Sequence, residues 1–304
     1  MNYILQTNNL TKKYKKFHAL NGLTMHVPKG SIYGLVGRNG AGKTTLIRLI
    51  CGLQEPTSGD FTLYGADNDS KDIVKSRRCM GAVVESPAVY MDMTAEENLK
   101  QQYRILNLSS FDTIPELLKL VGLENTGKKK VKNFSMGMKQ RLGIAVALVG
   151  DPDFLVLDEP INGLDPQGII EIRELILRLN RERHITILIS SHILDELGRI
   201  ATHYGIVDGG RMIKEMTAEE LETACRKHMQ IEVSDIAVLT WVLDDMGIAY
   251  QILSESKAEI YEKVNITRLV LALANEGCEV LSINEKEESL ESYFISLVGG
   301  GQNG

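Results

Sequence analysis

The stretch GLVGRNGAGKTTL, residues 34–46, constrains the fold of this chain more than any other. It contains the pattern GxxxxGKT from Gly37, directly after the apolar run 32–36 and directly before a helical pattern. Glycines let a backbone wrap closely around phosphate groups, and the N-terminus of the following helix adds a favourable dipole. The pattern predicts a phosphate-binding loop, and the register of strand, loop and helix disfavours a glycine-rich turn that binds nothing.

Two side chains of this loop have predicted roles of their own. Lys43 would reach the β- and γ-phosphates of a nucleotide, and the hydroxyl of Thr44 would bind Mg²⁺. The nucleotide-binding residues predicted in the loop are Gly37, Arg38, Asn39, Gly40, Ala41, Gly42, Lys43, Thr44 and Thr45.

A second apolar run ends in two acids, in the segment FLVLDEP at residues 154–160. Asp158 is placed to hold Mg²⁺ directly or through water, and Glu159 is placed to act as general base on an attacking water. An isolated Asp-Glu pair is often only a solvated strand end. In a doubly wound sheet, however, the carboxyl ends of the strands meet at the ligand crevice, which favours the functional interpretation.

The order of apolar runs predicts an α/β fold. Continuous apolar runs alternating with helical patterns are typical of a mostly parallel sheet that is covered on both faces. These runs are 32–36, 80–84, 154–157, 185–189 and 204–207. Residues 1–30 and 59–64 are predicted to form antiparallel strands, and 94–125 an inserted helical subdomain that opens with the capping box Thr94-x-x-Glu97.

The pattern restarts after about residue 220 with a β-α-β-β-α-β order and a last helix. This order predicts a small ferredoxin-like α/β domain. The expected domains are therefore 1–220, which binds nucleotide, and 221–304, an accessory domain. The accessory domain could serve dimerisation or regulation, and an inert cap is the alternative.

Composition disfavours several classes of function. The net charge of −6 offers no electrostatic case for binding nucleic acid. The four cysteines have no CxxC spacing, which favours reduced thiols over disulfides or zinc. No uncharged apolar run reaches the length needed to span a membrane, so a membrane role is expected to require a partner.

The stretch NFSMGMKQRLGIAVAL, residues 133–148, resembles the signature motif of ABC-type ATPases. Ser135 is expected to be the N-cap of a helix over 137–149. The resemblance implies that Ser135 and Gly137 contact ATP held by a second subunit, in a homodimer of ATP-binding domains with two shared sites. Met136 and Met138 replace a Gly and a Gln of the usual motif, and we expect both to serve packing.

Other elements of the same family follow in order over roughly residues 1–220. NGLDP at 162–166 resembles the D-loop, which implies that Asp165 lies at the dimer contact. His192 resembles the switch histidine that touches the γ-phosphate, and Tyr14 resembles the aromatic residue that stacks on adenine. Core packing is the alternative for Tyr14. The resemblance implies a P-loop NTPase fold that uses ATP and Mg²⁺.

The stretch GAVVESPAVYMDMTAEENL, residues 81–99, is similar within this family to bacterial exporters of bacitracin and lantibiotics. That group often carries Glu where most members have a loop Gln. The similarity implies that Glu85 faces Mg²⁺ and the γ-phosphate, as both a catalytic and a metal-binding residue.

The function expected from these resemblances is ATP hydrolysis that powers export or removal of an antimicrobial peptide, such as bacitracin or a lantibiotic, through a separate transmembrane permease. The chain would then be peripheral, on the cytoplasmic face of the cell membrane. The alternatives are an exporter for another drug, lipid or ion, and a soluble ABC ATPase acting on ribosomes or DNA. The acidic net charge and the single nucleotide-binding domain disfavour the last of these.

Overall fold

The chain divides into two compact units, Met1–Ala218 and Glu219–Gly304. The computed structural model describes residues 2–225, 228–261, 264–286 and 290–299. Sequence analysis placed the division after residue 220.

The first unit contains two sheets in its described part. Its strands are β1 (Tyr3–Tyr14), β2 (Phe17–Pro28), β3 (Ile32–Val36), β4 (Ser58–Leu63), β5 (Ala66–Asp67), β6 (Met80–Val83), β7 (Phe154–Asp158), β8 (Thr186–Ser191), β9 (His203–Asp208) and β10 (Arg211–Thr217). One sheet is antiparallel in the order β2-β1-β4-β5, and the other has the order β10-β9-β3-β8-β7-β6. Every neighbouring pair of the second sheet is parallel except β9 and β10. The mostly parallel sheet and the antiparallel strands before it are confirmed.

Strand β10 was missed by the sequence analysis. Most of its residues are exposed or half-buried, because it lies at the edge of the sheet next to β9. The continuous apolar run that marks buried strands is therefore absent from it.

Helices cover the parallel sheet and fill the chain between β6 and β7. They are α1 (Lys43–Ile50), α2 (Ile73–Arg78), α3 (Ala95–Ile105), α4 (Ile114–Leu120), α5 (Met136–Ala147), α6 (Pro166–Arg183) and α7 (Leu194–Gly198). Short 3-10 turns span Glu124–Thr126 and Val131–Asn133, and α8 (Ala218–Ala224) begins at the last residue of the unit.

The start of α3 follows its sequence signal closely. Thr94 Oγ1 accepts from Glu97 N at 3.2 Å, and Glu97 Oε2 accepts from Thr94 N at 2.7 Å. The predicted capping box is confirmed, and it satisfies two backbone donors that the first turn would otherwise leave unpaired.

The second unit is built on its own antiparallel sheet. Its elements are β11 (His228–Val233), α9 (Ile236–Asp245), β12 (Tyr250–Ile252), β13 (Lys257–Ile260), α10 (Ile266–Asn275), β14 (Val280–Lys286) and α11 (Leu290–Gly299). The strand order is β12-β13-β11-β14. A separate apolar core, which includes Ile231, Leu239, Ile260 and Leu269, joins this sheet to α9 and α10. Within the described residues, the helices all fall short of the length and apolarity that a membrane crossing requires.

Candidate active site

Three parallel strands bring the predicted motifs to one edge of the sheet. Strand β8 lies between β3 and β7, and its register pairs Val36 with Ser191 and Asp158 with Ser190. The loops that follow these strands therefore begin at the same level. Residues far apart in sequence meet here, as expected for the carboxyl ends of a doubly wound sheet.

The phosphate loop connects β3 to α1 with glycine where the backbone needs it. All five residues of β3 are buried. A Cβ on Gly37 would lie 2.5 Å from Val207 O, and one on Gly42 would lie 2.5 Å from Ala19 O. Gly42 also has a φ of 109°, which a side chain would strain. The loop thus packs tightly against the backbone of Val207 and Ala19, while the residues at its tip, 38–40, are exposed.

The Lys43 ammonium is held at this loop by three oxygen atoms. Its Nζ donates to Gly37 O at 2.7 Å and to Arg38 O at 3.3 Å, and lies 3.2 Å from Glu159 Oε1. The side chain is only 5% exposed. A buried cation needs such partners, and this arrangement holds it against the backbone of the loop.

Asp158 keeps one carboxylate oxygen unused. The side chain is 1% exposed, and its Oδ1 accepts from Ser190 Oγ at 2.6 Å. Its Oδ2 is buried and has no hydrogen-bond partner among the residues that the structure describes. An unpaired buried oxygen is costly unless a ligand completes it, so the site suits a cation. Thr44, the second residue of α1, is half-buried and follows directly after Lys43.

Such a cation would not sit in a protein-only cage. The described residues contain no cluster of three or more His, Cys, Asp and Glu side chains that could hold a metal ion. Mg²⁺ is commonly held by one or two carboxylates together with phosphate oxygens and water. The donor set at Asp158 and Thr44 fits that pattern.

Glu159 is placed between a lysine and a histidine. Its Oε1 lies 3.2 Å from Lys43 Nζ, and its Oε2 lies 2.8 Å from His192 Nδ1. Its φ of 48° is left-handed, which costs about 1–2 kcal/mol for a residue with a side chain. Hydrogen bonds from its N–H to Ser190 O and Ser190 Oγ hold that conformation. The carboxylate and the imidazole are thus positioned together beside the phosphate loop.

A half-buried cysteine thiol follows helix α1. Cys51 follows the last residue of α1, and burial raises the pKa of its thiol to about 12. The Arg77 guanidinium opposes this shift and the Asp158 carboxylate adds to it. The thiol therefore stays protonated at neutral pH and adds no charge near the carboxylates.

Ser135 is the N-cap of α5, as expected, and its Oγ accepts from Met138 N at 3.2 Å. The helix begins at Met136, one residue before the predicted start. Ser135 is exposed. A Cβ added to Gly137 would lie 3.8 Å from Gly168 Cα, which is an ordinary contact distance. The packing role predicted for Met136 is wrong, because this first helical residue projects outward and is 58% exposed.

Asp165 has a local role that the sequence analysis missed. It is the N-cap of α6, and its Oδ1 accepts from Gly168 N at 3.0 Å. Pro166 occupies the first helical position, where the missing N–H carries no cost. An Asp followed by Pro is a signal for a helix start that could have predicted this cap.

Tyr14 ends β1 and is 41% exposed, so the core-packing alternative is wrong. Its hydroxyl donates to Gln54 Oε1, and Lys12 Nζ lies 5.4 Å from the ring centroid. The side chain is partly exposed in this chain, and adenine stacking stays a prediction.

Glu85 lies beyond the end of β6 and pairs with a residue that sequence analysis did not single out. Its carboxylate accepts from Arg48 Nη2 of α1. Its φ is 61°, left-handed like that of Glu159. Contact with Mg²⁺ or the γ-phosphate stays a prediction.

The ABC transporter family profile matches residues 20–162. The bacitracin transport ATP-binding protein BcrA of Bacillus licheniformis is 41% identical over 309 residues, which span 100% of both chains. The chain belongs to the ABC transporter ATPases. This ABC transporter ATPase is also 43% identical over 212 residues to the lantibiotic transport ATP-binding protein SrtF of Streptococcus pyogenes, covering 70% of this chain and 90% of SrtF.

Solved structures include a cassette of the same fold with its reaction products. The dimeric cassette MJ0796, in a post-hydrolysis state bound to ADP and Pi, superposes on this ABC transporter ATPase with a TM-score of 0.64. The identity is 25%, and the match covers 70% of this chain and 98% of that chain.

Proposed function

We propose that this ABC transporter ATPase powers export of an antimicrobial peptide, such as bacitracin or a lantibiotic, through a separate permease. The observation that carries the proposal is the 41% identity to a bacitracin transport ATP-binding protein over the full length of both chains. The similarity to a lantibiotic transport protein supports the same substrate class. The chain would then work at the cytoplasmic face of the cell membrane, held there by the permease.

The proposed hydrolysis assigns one role to each residue at the strand ends. Backbone N–H groups of the loop 37–45 bind the phosphates, and Lys43 neutralises the β- and γ-phosphates. Glu159 takes the proton of the attacking water, since its carboxylate is held at the loop in left-handed backbone geometry. His192, 2.8 Å from Glu159, orients that carboxylate and reaches toward the γ-phosphate.

Mg²⁺ would be held by Asp158 and the Thr44 hydroxyl, with Glu85 as a further candidate. The unpaired Oδ2 of Asp158 supports this assignment among the described residues. When bound, the ion supplies charge neutralisation to the phosphates.

Dimerisation completes the proposed site. Ser135 and Gly137 at the start of α5 would contact ATP held by the partner, and Asp165 would lie at the dimer contact. The exposure of Ser135 and the dimeric state of MJ0796 support this. Tyr14, which is partly exposed, would stack on adenine.

We also propose that the second unit is a ferredoxin-like accessory domain. Its β-α-β-β-α-β order and the antiparallel pairing of β11 with both β13 and β14 support the assignment. A dimerisation or regulatory role fits such a domain, and an inert cap is the alternative.

Asp158→Asn tests the metal assignment. The amide can still accept from Ser190 but is a weaker cation ligand, so half-maximal ATP hydrolysis should need at least about tenfold more Mg²⁺. The measurement is ATPase rate against Mg²⁺ concentration. Asp153→Asn is the matched control. Asp153 directly precedes the first residue of β7, whereas Asp158 is the last residue of this strand. An equal Mg²⁺ requirement in both variants would contradict the assignment.

Affinity purification of the tagged chain from detergent-solubilised membranes tests the transport function. We expect a polytopic membrane protein to co-purify, and its co-expression with this chain to raise bacitracin or lantibiotic resistance. Lys43→Ala should remove that resistance while the polytopic protein still co-purifies. Recovery of ribosomes instead of a membrane protein would contradict the transport function. Resistance to a different drug instead would favour the alternative, an exporter for another drug, lipid or ion.

A further inference from the structure

Two glutamates occupy equivalent positions at the ends of neighbouring strands. Strands β6 and β7 are parallel, with Val83 paired to Leu157, and Glu85 and Glu159 each follow two residues later. Adjacent strands lie about 4.8 Å apart. Both residues have left-handed backbone, with φ of 61° and 48°. Together with Asp158, they place three carboxylates at the edge where the triphosphate is expected to bind.

Helix α1 supplies a cation to each glutamate. Lys43, its first residue, lies 3.2 Å from Glu159 Oε1, and Arg48 Nη2 donates to Glu85 Oε1. The two cations are five positions apart, which is about 7.5 Å along the helix axis. The helix that begins at the phosphate loop therefore compensates both carboxylates.

Stability does not explain the Arg48–Glu85 pair. The side chains are 33% and 58% exposed, and exposed ion pairs contribute little to folding. Without Arg48, the Glu85 side chain would be free to turn toward the phosphate loop. A carboxylate there repels an incoming triphosphate.

We infer that Arg48 is a positioning residue for nucleotide binding, which restrains the Glu85 carboxylate so that it does not oppose the entry of ATP. The inference rests on the proposed position of Glu85 beside the nucleotide, and it is independent of the transported substrate. It has a specific dependence on Mg²⁺. A divalent cation on the triphosphate neutralises part of the negative charge that Glu85 meets, so the need for restraint is greatest without the metal.

The test is ATP binding to the full chain in EDTA at low ionic strength, measured by calorimetry. We expect Arg48→Gln, which keeps most of the apolar stem, to weaken binding about fivefold. Arg48→Lys should recover most of the loss. In a Glu85→Gln background, Arg48→Gln should change affinity less than about twofold, because no carboxylate remains to be restrained. Adding Mg²⁺ should shrink the effect of Arg48→Gln to about twofold or less.

Lys75→Gln is the matched control. It also removes one positive charge from an exposed ion pair, with Asp72 at 2.8 Å. Its helix α2 leads into the amino end of β6, opposite to the nucleotide edge, so ATP affinity should not change. Circular dichroism of each variant reports folding. If Arg48→Gln proved unfolded, Arg48→Met would replace it in the same comparison.

Two results would overturn the inference. One is unchanged affinity for Arg48→Gln in EDTA. The other is an equal loss with and without Glu85, because Arg48 would then attract the nucleotide by itself. Failure of the native chain to bind ATP at all would instead contradict the proposed nucleotide site, so the two failures are distinguishable.

Discussion

Glu159→Gln is expected to bind ATP and dimerise while hydrolysing ATP about 10²–10⁴-fold more slowly than the native chain. The amide keeps the shape of the carboxylate and can still contact Lys43 and His192, which lie 3.2 Å and 2.8 Å from it in the native chain. It cannot accept a proton from the attacking water. The rate of a single turnover, with enzyme in excess over radiolabelled ATP, isolates the chemical step from product release.

The matched control for this variant is Glu174→Gln, on the exposed face of α6. It removes the same charge outside the site and should hydrolyse ATP at the native rate. An unchanged single-turnover rate in Glu159→Gln would mean that Glu159 is not the base. His192 would then become the leading candidate, since its Nδ1 lies 2.8 Å from the Glu159 carboxylate.

Ser135→Arg is expected to abolish ATP hydrolysis while leaving ATP binding to each chain intact. A bulky cation at the N-cap of α5 would block the partner's γ-phosphate from reaching the helix N-terminus. Asn265→Arg is the matched control, because Asn265 is also an exposed N-cap and its Oδ1 accepts from Arg268 N at 3.1 Å. Loss of either cap should cost about 1 kcal/mol of stability, so the two variants should be similarly stable. We expect only Ser135→Arg to lose ATP hydrolysis, because only Ser135 is proposed to contact phosphate.

Mixing Ser135→Arg with Lys43→Ala extends this test to the shared sites. Each variant alone has two damaged composite sites, whereas a mixed dimer has one undamaged site. Partial ATPase activity that appears only on mixing would support the idea that one intact site can hydrolyse ATP independently of the other. Full activity of Ser135→Arg alone would rule out its contact with phosphate.

Local sequence signals predicted the parts of the active site that depend on neighbouring residues. The phosphate loop is defined by glycines whose absent side chains leave room for Val207 O and Ala19 O. The parallel strands could be predicted because burial on both faces demands continuous apolar runs. The capping box of α3 and the cap of α5 could be predicted because their hydrogen bonds span three residues.

Other features could not be predicted, because the burial of a residue depends on distant segments that no local sequence pattern reveals. Strand β10 carries mixed burial at a sheet edge, and the outward direction of Met136 depends on what lies beside the start of α5. Tyr14 could have been core or surface by its residue type alone, and only the folded chain leaves it 41% exposed.

The sequence by itself determined the chain order of the proposed catalytic groups, since the phosphate loop, the two acids and the histidine each follow a recognisable strand. Only the tertiary structure decided their partners. Glu159 contacts both Lys43 and His192, Asp158 keeps Oδ2 unpaired among the described residues, and Glu85 pairs with Arg48. The physical reason is that ion pairs act over a few ångströms of space, and the crossover connections of a parallel sheet bring distant segments to that separation.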